Sequence, residues 1–160
     1  MRYAIGVGAN RGDRAATIAA AAAALAPDIR LLASAPLIAT APLGGPRGQE
    51  PFLNGAWVVV TDLGPHQLLH RLQAIESALG RARAVHWGPR TLDLDLLLRE
   101  DGLQVANAVL TLPHPRLAER AFVLAPLAQI AGDWPVPGSG LTVAGLWLRQ
   151  QSLGGSPAGA

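Results

Sequence analysis

An α/β (α+β) fold built on a β-α-β-β-α-β core, with an additional strand and helices at its C-terminal end, is what the sequence predicts. Three observations predict it. Short apolar or alternating runs recur at Tyr3–Val7, Ile29–Ile38, Phe52–Leu63 and Thr91–Leu98. Two segments with helical character, Arg14–Leu25 and Pro65–Leu79, fall between them in the order strand, helix, strand, strand, helix, strand, which is the ferredoxin-like arrangement. The chain has 160 residues, 50% of them hydrophobic and 15% charged, which suits one domain folded on one core.

Each element has a local reason. Tyr3–Val7 is apolar and runs into glycine. Asp13 is a helix N-cap, the alanine run behind it favours helix, and Pro27 stops it. Thr40–Pro51 holds three prolines and three glycines and reads as a loop of a length that is often functional. Trp57-Val58-Val59-Val60 centres the third strand. Pro65 sits at a first helical position, Leu68, Leu72, Ile75 and Leu79 follow at helical spacing, and Gly80 closes the helix. Arg81–Arg90 is irregular and basic. Beyond the core come a short strand near Leu103–Ala106, a Pro-His-Pro turn, a helix over Ala118–Ile130 and a last helix over Val143–Arg149. The Gly/Ser/Ala/Pro composition of 151–160 predicts a flexible tail behind a single domain spanning 1–150.

Composition removes whole classes of chemistry. With no cysteine there is no disulfide, thiolate metal site or Cys nucleophile. All 13 cations are arginine, so there is no P-loop lysine and no Schiff base. A net charge of +2 does not demand a nucleic-acid partner. The longest apolar stretch, Ala15–Ala26, is too short for a membrane span, and the charges around Arg11, Asp13 and Arg14 do not suit a signal peptide. A cytoplasmic protein is expected.

The strongest local signal is Leu92-Asp93-Leu94-Asp95-Leu96. On a strand the leucines face one way and the two aspartates the other, roughly 6.6 Å apart. Carboxylates that close repel by about 2–3 kcal/mol at an effective dielectric near 20. A divalent cation removes the repulsion, and magnesium favours one or two carboxylates completed by phosphate oxygens. Two solvated acids on an open sheet face would read the same way. Arg81, Arg83 and Arg90 lie just upstream, with His86 and Trp87 between them, as bidentate phosphate binders and an indole able to cover a heterocycle. Gly6-Val7-Gly8 and Gly12 miss the dinucleotide spacing and read as a tight strand-to-helix turn, with Asn10 and Asp13 fixing backbone groups. His114 sits on a stiffened turn and is either structural, a phosphate contact or a base. Glu76 is ordinarily a solvated helix residue. Phe52 and Asn54 share a strand face that could offer a ring and an amide to a heterocycle, although core packing also explains Phe52.

These stretches together resemble 6-hydroxymethyl-7,8-dihydropterin pyrophosphokinase, a folate-pathway family. The resemblance rests on Gly8-Ala9-Asn10-Arg11-Gly12-Asp13, Thr40-Ala41-Pro42-Leu43-Gly44 and Phe52-Leu53-Asn54. It rests further on Gly80-Arg81-Ala82-Arg83, the highly specific Trp87-Gly88-Pro89-Arg90-Thr91-Leu92-Asp93-Leu94-Asp95, and Leu112-Pro113-His114-Pro115-Arg116 through Arg120 and Phe122 to Leu127. It implies pyrophosphate transfer from ATP to the pterin hydroxymethyl group with release of AMP. It implies two Mg2+ ions held by Asp93 and Asp95, with Arg81, Arg83, Arg90 and Asp95 serving the transfer. Gln73, Glu76, Arg83, Trp87, Arg90, Leu96, Thr111, His114 and Arg120 would bind ATP. Thr40, Pro42, Leu43, Phe52, Asn54, Trp87, Asp95 and Phe122 would bind the pterin, between the two phenyl rings. The family suggests a monomer acting on small molecules, with no nucleic acid and no membrane. Ala9, His86 and Val109 depart from residues common in the family. The other class weighed, an RNA-recognition module of the same strand order, lacks the aromatic strand pattern such modules expose. A metal-gripping D-x-D glycosyltransferase is disfavoured by the short chain.

Overall fold

A computed structural model describes residues 1–10, 12–40, 51–80 and 92–154. The strands are β1 (Arg2–Ala9), β2 (Ile29–Ser34), β3 (Ile38–Thr40), β4 (Phe52–Thr61), β5 (Leu92–Arg99), β6 (Val105–Ala106), β7 (Thr111–Leu112), β8 (Pro135–Val136) and β9 (Leu141–Thr142). The helices are α1 (Arg14–Ala24), α2 (Pro65–Leu79), α3 (Ala121–Ala131) and α4 (Val143–Gly154). The main sheet is antiparallel in the order β2-β4-β1-β5, with β3 also on β4, so the β1-α1-β2-β4-α2-β5 core has the expected ferredoxin-like path.

Alternation along the strands sorts side chains onto two faces. On one, Tyr3, Ile5, Val7, Trp57, Val59, Leu92, Leu94 and Leu96 pack against Ile18, Ala21 and Leu25 of α1 and Leu68, Leu72 and Ile75 of α2. On the other, Ala4, Ala56, Val58, Leu97 and Leu98 pack against Val123, Leu124 and Leu127 of α3 and Val143 and Leu146 of α4. Each fully buried leucine contributes roughly 1.5–3 kcal/mol relative to exposure. The second helical layer covers only part of its face, and the uncovered part holds the site.

The caps follow local chemistry. Asp13 accepts from the Ala16 N–H at 3.0 Å, which satisfies one orphan donor of α1. Gly12 turns the chain into that cap at φ +62°, a backbone region that disfavours any residue with a Cβ. Gly6 and Gly8 lie within β1, not in the turn expected for them.

Several boundaries differ from expectation. The single strand expected over 29–38 divides into β2 and β3, because Pro36 has no N–H for the ladder. Leu37 then crosses over β4, where a Cβ on Gly55 would lie 2.7 Å from Leu37 Cδ2. In β5 the alternation fails after Leu96. Ile5 pairs with Leu96 and Ala4 with Leu98, so Leu97 is an extra residue that turns Leu98 to the opposite face. The helix expected from Ala118 begins at Ala121, since Arg120 is non-helical at φ −102°, ψ 89°, and a 3-10 turn occupies Leu117–Glu119. Neither the β8–β9 hairpin nor β7 was expected. α4 continues to Gly154, four residues into the segment expected as a tail.

Leu72 is fully buried between α2 and the sheet. Leu72→Ala is expected to destabilise the chain by about 2–5 kcal/mol, read as a lowered denaturant midpoint with an unchanged slope.

Candidate active site

Asp93 and Asp95 project from β5 on the face opposite Leu92, Leu94 and Leu96. Their partners on β1 are Gly8 and Gly6. On that face β1 therefore presents no side chains beside the two carboxylates, and Gly6 and Gly8 line a cavity there. Asp95 Oδ2 lies 3.6 Å from Arg120 Nη1, an ion pair that is partly exposed on both sides. Among the described residues no group of three or more His, Cys, Asp or Glu could hold a metal ion. A two-carboxylate donor set suits magnesium, which keeps several waters and takes substrate oxygens for the rest of its shell.

A cavity of about 570 Å3 opens over this face. Phe52, at the start of β4, and Phe122, in the first turn of α3, line it together with Thr40, Asn54, Asp93, Asp95 and Arg120. Asn54 is buried, and its Nδ2 donates to Thr40 Oγ1 at 2.6 Å. That bond fixes the amide, with Oδ1 on the side of Gly8. A Cβ at Gly8 would lie 3.0 Å from Asn54 Oδ1, so the glycine gives the amide its place.

A second cavity, about 280 Å3, lies on the other side of Asp95. Gln73 and Glu76 of α2, Leu94 and Leu96 of β5, the Asn107–Thr111 turn and His114 line it. Glu76 is only 6% exposed and accepts from the Leu94 N–H at 2.8 Å. The expectation of a solvated Glu76 is corrected: β5 is a sheet edge, and the carboxylate satisfies an outward amide there. Asn107 Oδ1 accepts from Val109 N–H and Leu110 N–H, each at 2.9 Å, and shapes the turn. Val109 is 72% exposed on that turn.

His114 is anchored by its N–H to the Leu97 carbonyl at 2.7 Å. Its Nδ1 accepts from the Arg116 N–H at 3.2 Å, which leaves Nε2 as the protonated nitrogen of the neutral ring. Burial pushes the imidazole below the ordinary value; Asp95 opposes the shift, while Arg120 and Arg116 add to it.

The structure thus gathers Thr40, Phe52, Asn54, Asp93, Asp95, Arg120 and Phe122 at one cavity. It gathers Gln73, Glu76, Leu96, Thr111 and His114 at the other, with Asp95 bordering both. Pro42, Leu43, Arg81, Arg83, His86, Trp87 and Arg90 lie outside the described residues. Asn10 is buried with Oδ1 unpaired among the described residues, so that oxygen does not fix a described backbone group as expected. Sequence reasoning missed Gly6 and Gly8 as the open floor, and Arg116 and Glu119 as cavity residues. The glycines carry a readable signal, a period of two matching the aspartates, whereas Arg116 and Glu119 flank a 3-10 turn with no alternation to read.

Residues 4–132 match the family model described as 7,8-dihydro-6-hydroxymethylpterin-pyrophosphokinase (HPPK). The chain is 47% identical over 136 residues to the 2-amino-4-hydroxy-6-hydroxymethyldihydropteridine pyrophosphokinase of Methylorubrum extorquens, covering 84% of this chain and 85% of that one. It is 44% identical over 139 residues to the enzyme of the same name from Pseudomonas aeruginosa, covering 86% and 85%. Among solved structures it is similar in fold to wild-type Plasmodium falciparum HPPK-DHPS, with a TM-score of 0.70 at 13% identity. That match covers 97% of this chain and 42% of the longer one.

Because the folded His114 pKa lies below the unfolded value, the unfolded chain binds more protons as pH falls. Stability from this group is complete above the unfolded value of 6.5 and is lost as pH drops through that value toward the lower folded one. In metal-free protein an NMR titration should find His114 below 6.5, and Asp95→Asn should move it lower still. An upward shift in that variant would contradict the described electrostatics.

Proposed function

The chain belongs to the 7,8-dihydro-6-hydroxymethylpterin-pyrophosphokinase family, and from this we propose that its reaction runs across Asp95, from the smaller cavity to the larger. The enzyme is an ATP-dependent pyrophosphokinase of folate synthesis: it moves the pyrophosphoryl group of ATP to the hydroxymethyl group of the dihydropterin. The observation that carries the site assignment is the shared carboxylate: one side of Asp95 is an amide-and-aromatic cavity, the other a cleft bordered by a histidine and a strand edge.

In this reading the pterin lies between Phe52 and Phe122, and Asn54 Oδ1 accepts from an N–H on the edge of the heterocycle. Thr40 keeps the amide from rotating. The nucleotide occupies the second cavity, with Gln73, Glu76, Leu96 and Thr111 around base and ribose. Glu76 contributes chiefly by pinning β5, and with it the spacing of Asp93 and Asp95. His114 and Arg120 face the phosphates, the first through its Nε2–H and the second once released from Asp95.

Asp93 and Asp95 would hold two magnesium ions, which supply charge neutralisation on the triphosphate and ease loss of the hydroxymethyl proton. The alcohol attacks the β-phosphorus and AMP leaves on the nucleotide side. Arg81, Arg83 and Arg90 complete the phosphate-binding set by resemblance, Trp87 closes over both ligands, and Pro42 and Leu43 wall the pterin. Closure excludes water, which would otherwise hydrolyse ATP.

The enzyme is proposed to work as a monomer in the cytoplasm on small molecules alone. Among the described residues no helix is long and apolar enough to cross a membrane. An RNA-binding role is disfavoured because α3 and α4 cover Ala56 and Val58 on the sheet face such modules expose.

ATP plus the hydroxymethyl-dihydropterin should give AMP and no ADP by chromatography; ADP would mean single phosphoryl transfer and reject the reading. Asp95→Ala should keep the far-ultraviolet spectrum and lose about 1,000-fold or more in kcat. Gly8→Ala should raise the KM for the pterin by about tenfold while leaving that for ATP within about twofold, because the new methyl group displaces Asn54.

A further inference from the structure

Arg116 lines the larger cavity beside Asp93, Asp95 and Arg120, and it does not border the smaller one. Two residues earlier, His114 borders the smaller cavity only. The short segment from 114 to 116 therefore crosses from the nucleotide side to the pterin side. Its backbone is held where it crosses: the His114 N–H donates to Leu97, and the Arg116 N–H donates to the His114 ring. The 3-10 turn at Leu117–Glu119 follows at once, and Leu117 is buried in the α3/α4 layer. The Cα of Arg116 is thus fixed, while its side chain is 65% exposed.

The counter-ion of Arg116 is Glu119, at 3.8 Å from Nε to Oε2, one turn further on and 71% exposed. An exposed pair of this kind is worth about 0–1 kcal/mol. Arg120 is committed more firmly, with its side chain only a quarter exposed and paired with Asp95. A diphosphate entering the larger cavity meets in Arg116 a cation whose present partner is easily displaced, and guanidinium binds phosphate oxygens bidentately.

Resting on the proposed reaction, the direction of transfer decides which diphosphate this is. Before transfer the β- and γ-phosphates belong to ATP. Afterwards they belong to the pterin and stay on its side of Asp95, while AMP remains in the smaller cavity. We propose that Arg116 is a product-side phosphate residue, held in reserve by Glu119, that takes the diphosphate of the pterin product and slows its release. Arg116 and Glu119 then act in opposition: the arginine retains the product, and the glutamate competes with it for the guanidinium.

The test uses the full chain with magnesium and two probes, synthetic dihydropterin diphosphate and a non-hydrolysable ATP analogue, by calorimetry and stopped-flow release. Arg116→Ala should weaken the product by about fivefold to tenfold, mostly through faster dissociation, with the ATP analogue within about twofold. Glu119→Gln should tighten the product by about twofold to fivefold. Opposite shifts from neighbouring substitutions are not what a merely structural role produces. The inference is overturned if Arg116→Ala leaves the product affinity unchanged, if it weakens both probes equally, or if the two variants move the product in the same direction. Failure of the unsubstituted chain to bind the product at all would reject the site assignment as well.

Discussion

Two carboxylates on one face of a strand repel each other, and the open half of this sheet is arranged around that repulsion. The burial of Leu92, Leu94 and Leu96 against α1 and α2 holds Asp93 and Asp95 on the opposite face. Neither aspartate can turn inward without moving a leucine out, so hydrophobic packing on one side maintains electrostatic strain on the other. Arg120 relieves part of it at Asp95. Glu76 secures the strand edge at Leu94, which keeps the spacing of the pair from drifting. Glycines 6 and 8 leave the neighbouring strand bare, so bulky ligand groups can approach the carboxylates.

The second helical layer is matched to this need. α3 and α4 bury Ala4, Ala56, Val58, Leu97 and Leu98 and stop short of the aspartates. Leu97 falls on the aspartate face by ordinary alternation, and the extra residue there brings Leu98 onto the same face. Before it, the face away from α1 and α2 is acidic; after it, the same face is leucine. The start of α3 marks the boundary, and Arg120 and Phe122 there turn toward the cavity while Val123, Leu124 and Leu127 anchor the helix behind them.

The core order, the helix cap at Asp13, the helix over 65–79 and the two faces of the Asp93–Asp95 strand were legible because each rests on a local rule: spacing, capping or alternation. The resemblance supplied Thr40 and Phe122, whose meeting with Asn54 depends on contacts far apart in the chain. What was not legible depended on partners. Glu76 looks like any surface helix residue until the edge amide of Leu94 is beside it. Leu98 looks like the next member of an alternating run until the bulge moves it. The α3 start was misplaced because Ala118 and Glu119 have good helix propensity, and only the backbone of Arg120 shows the break. Arg116 carries no periodic signal at all.

Asp95 forms part of the wall of both cavities. Two chambers with a common partition have a route for thermodynamic linkage: any change in affinity that occupancy of one causes in the other is returned by the same factor. A substitution at this single side chain therefore alters the wall of both chambers at once.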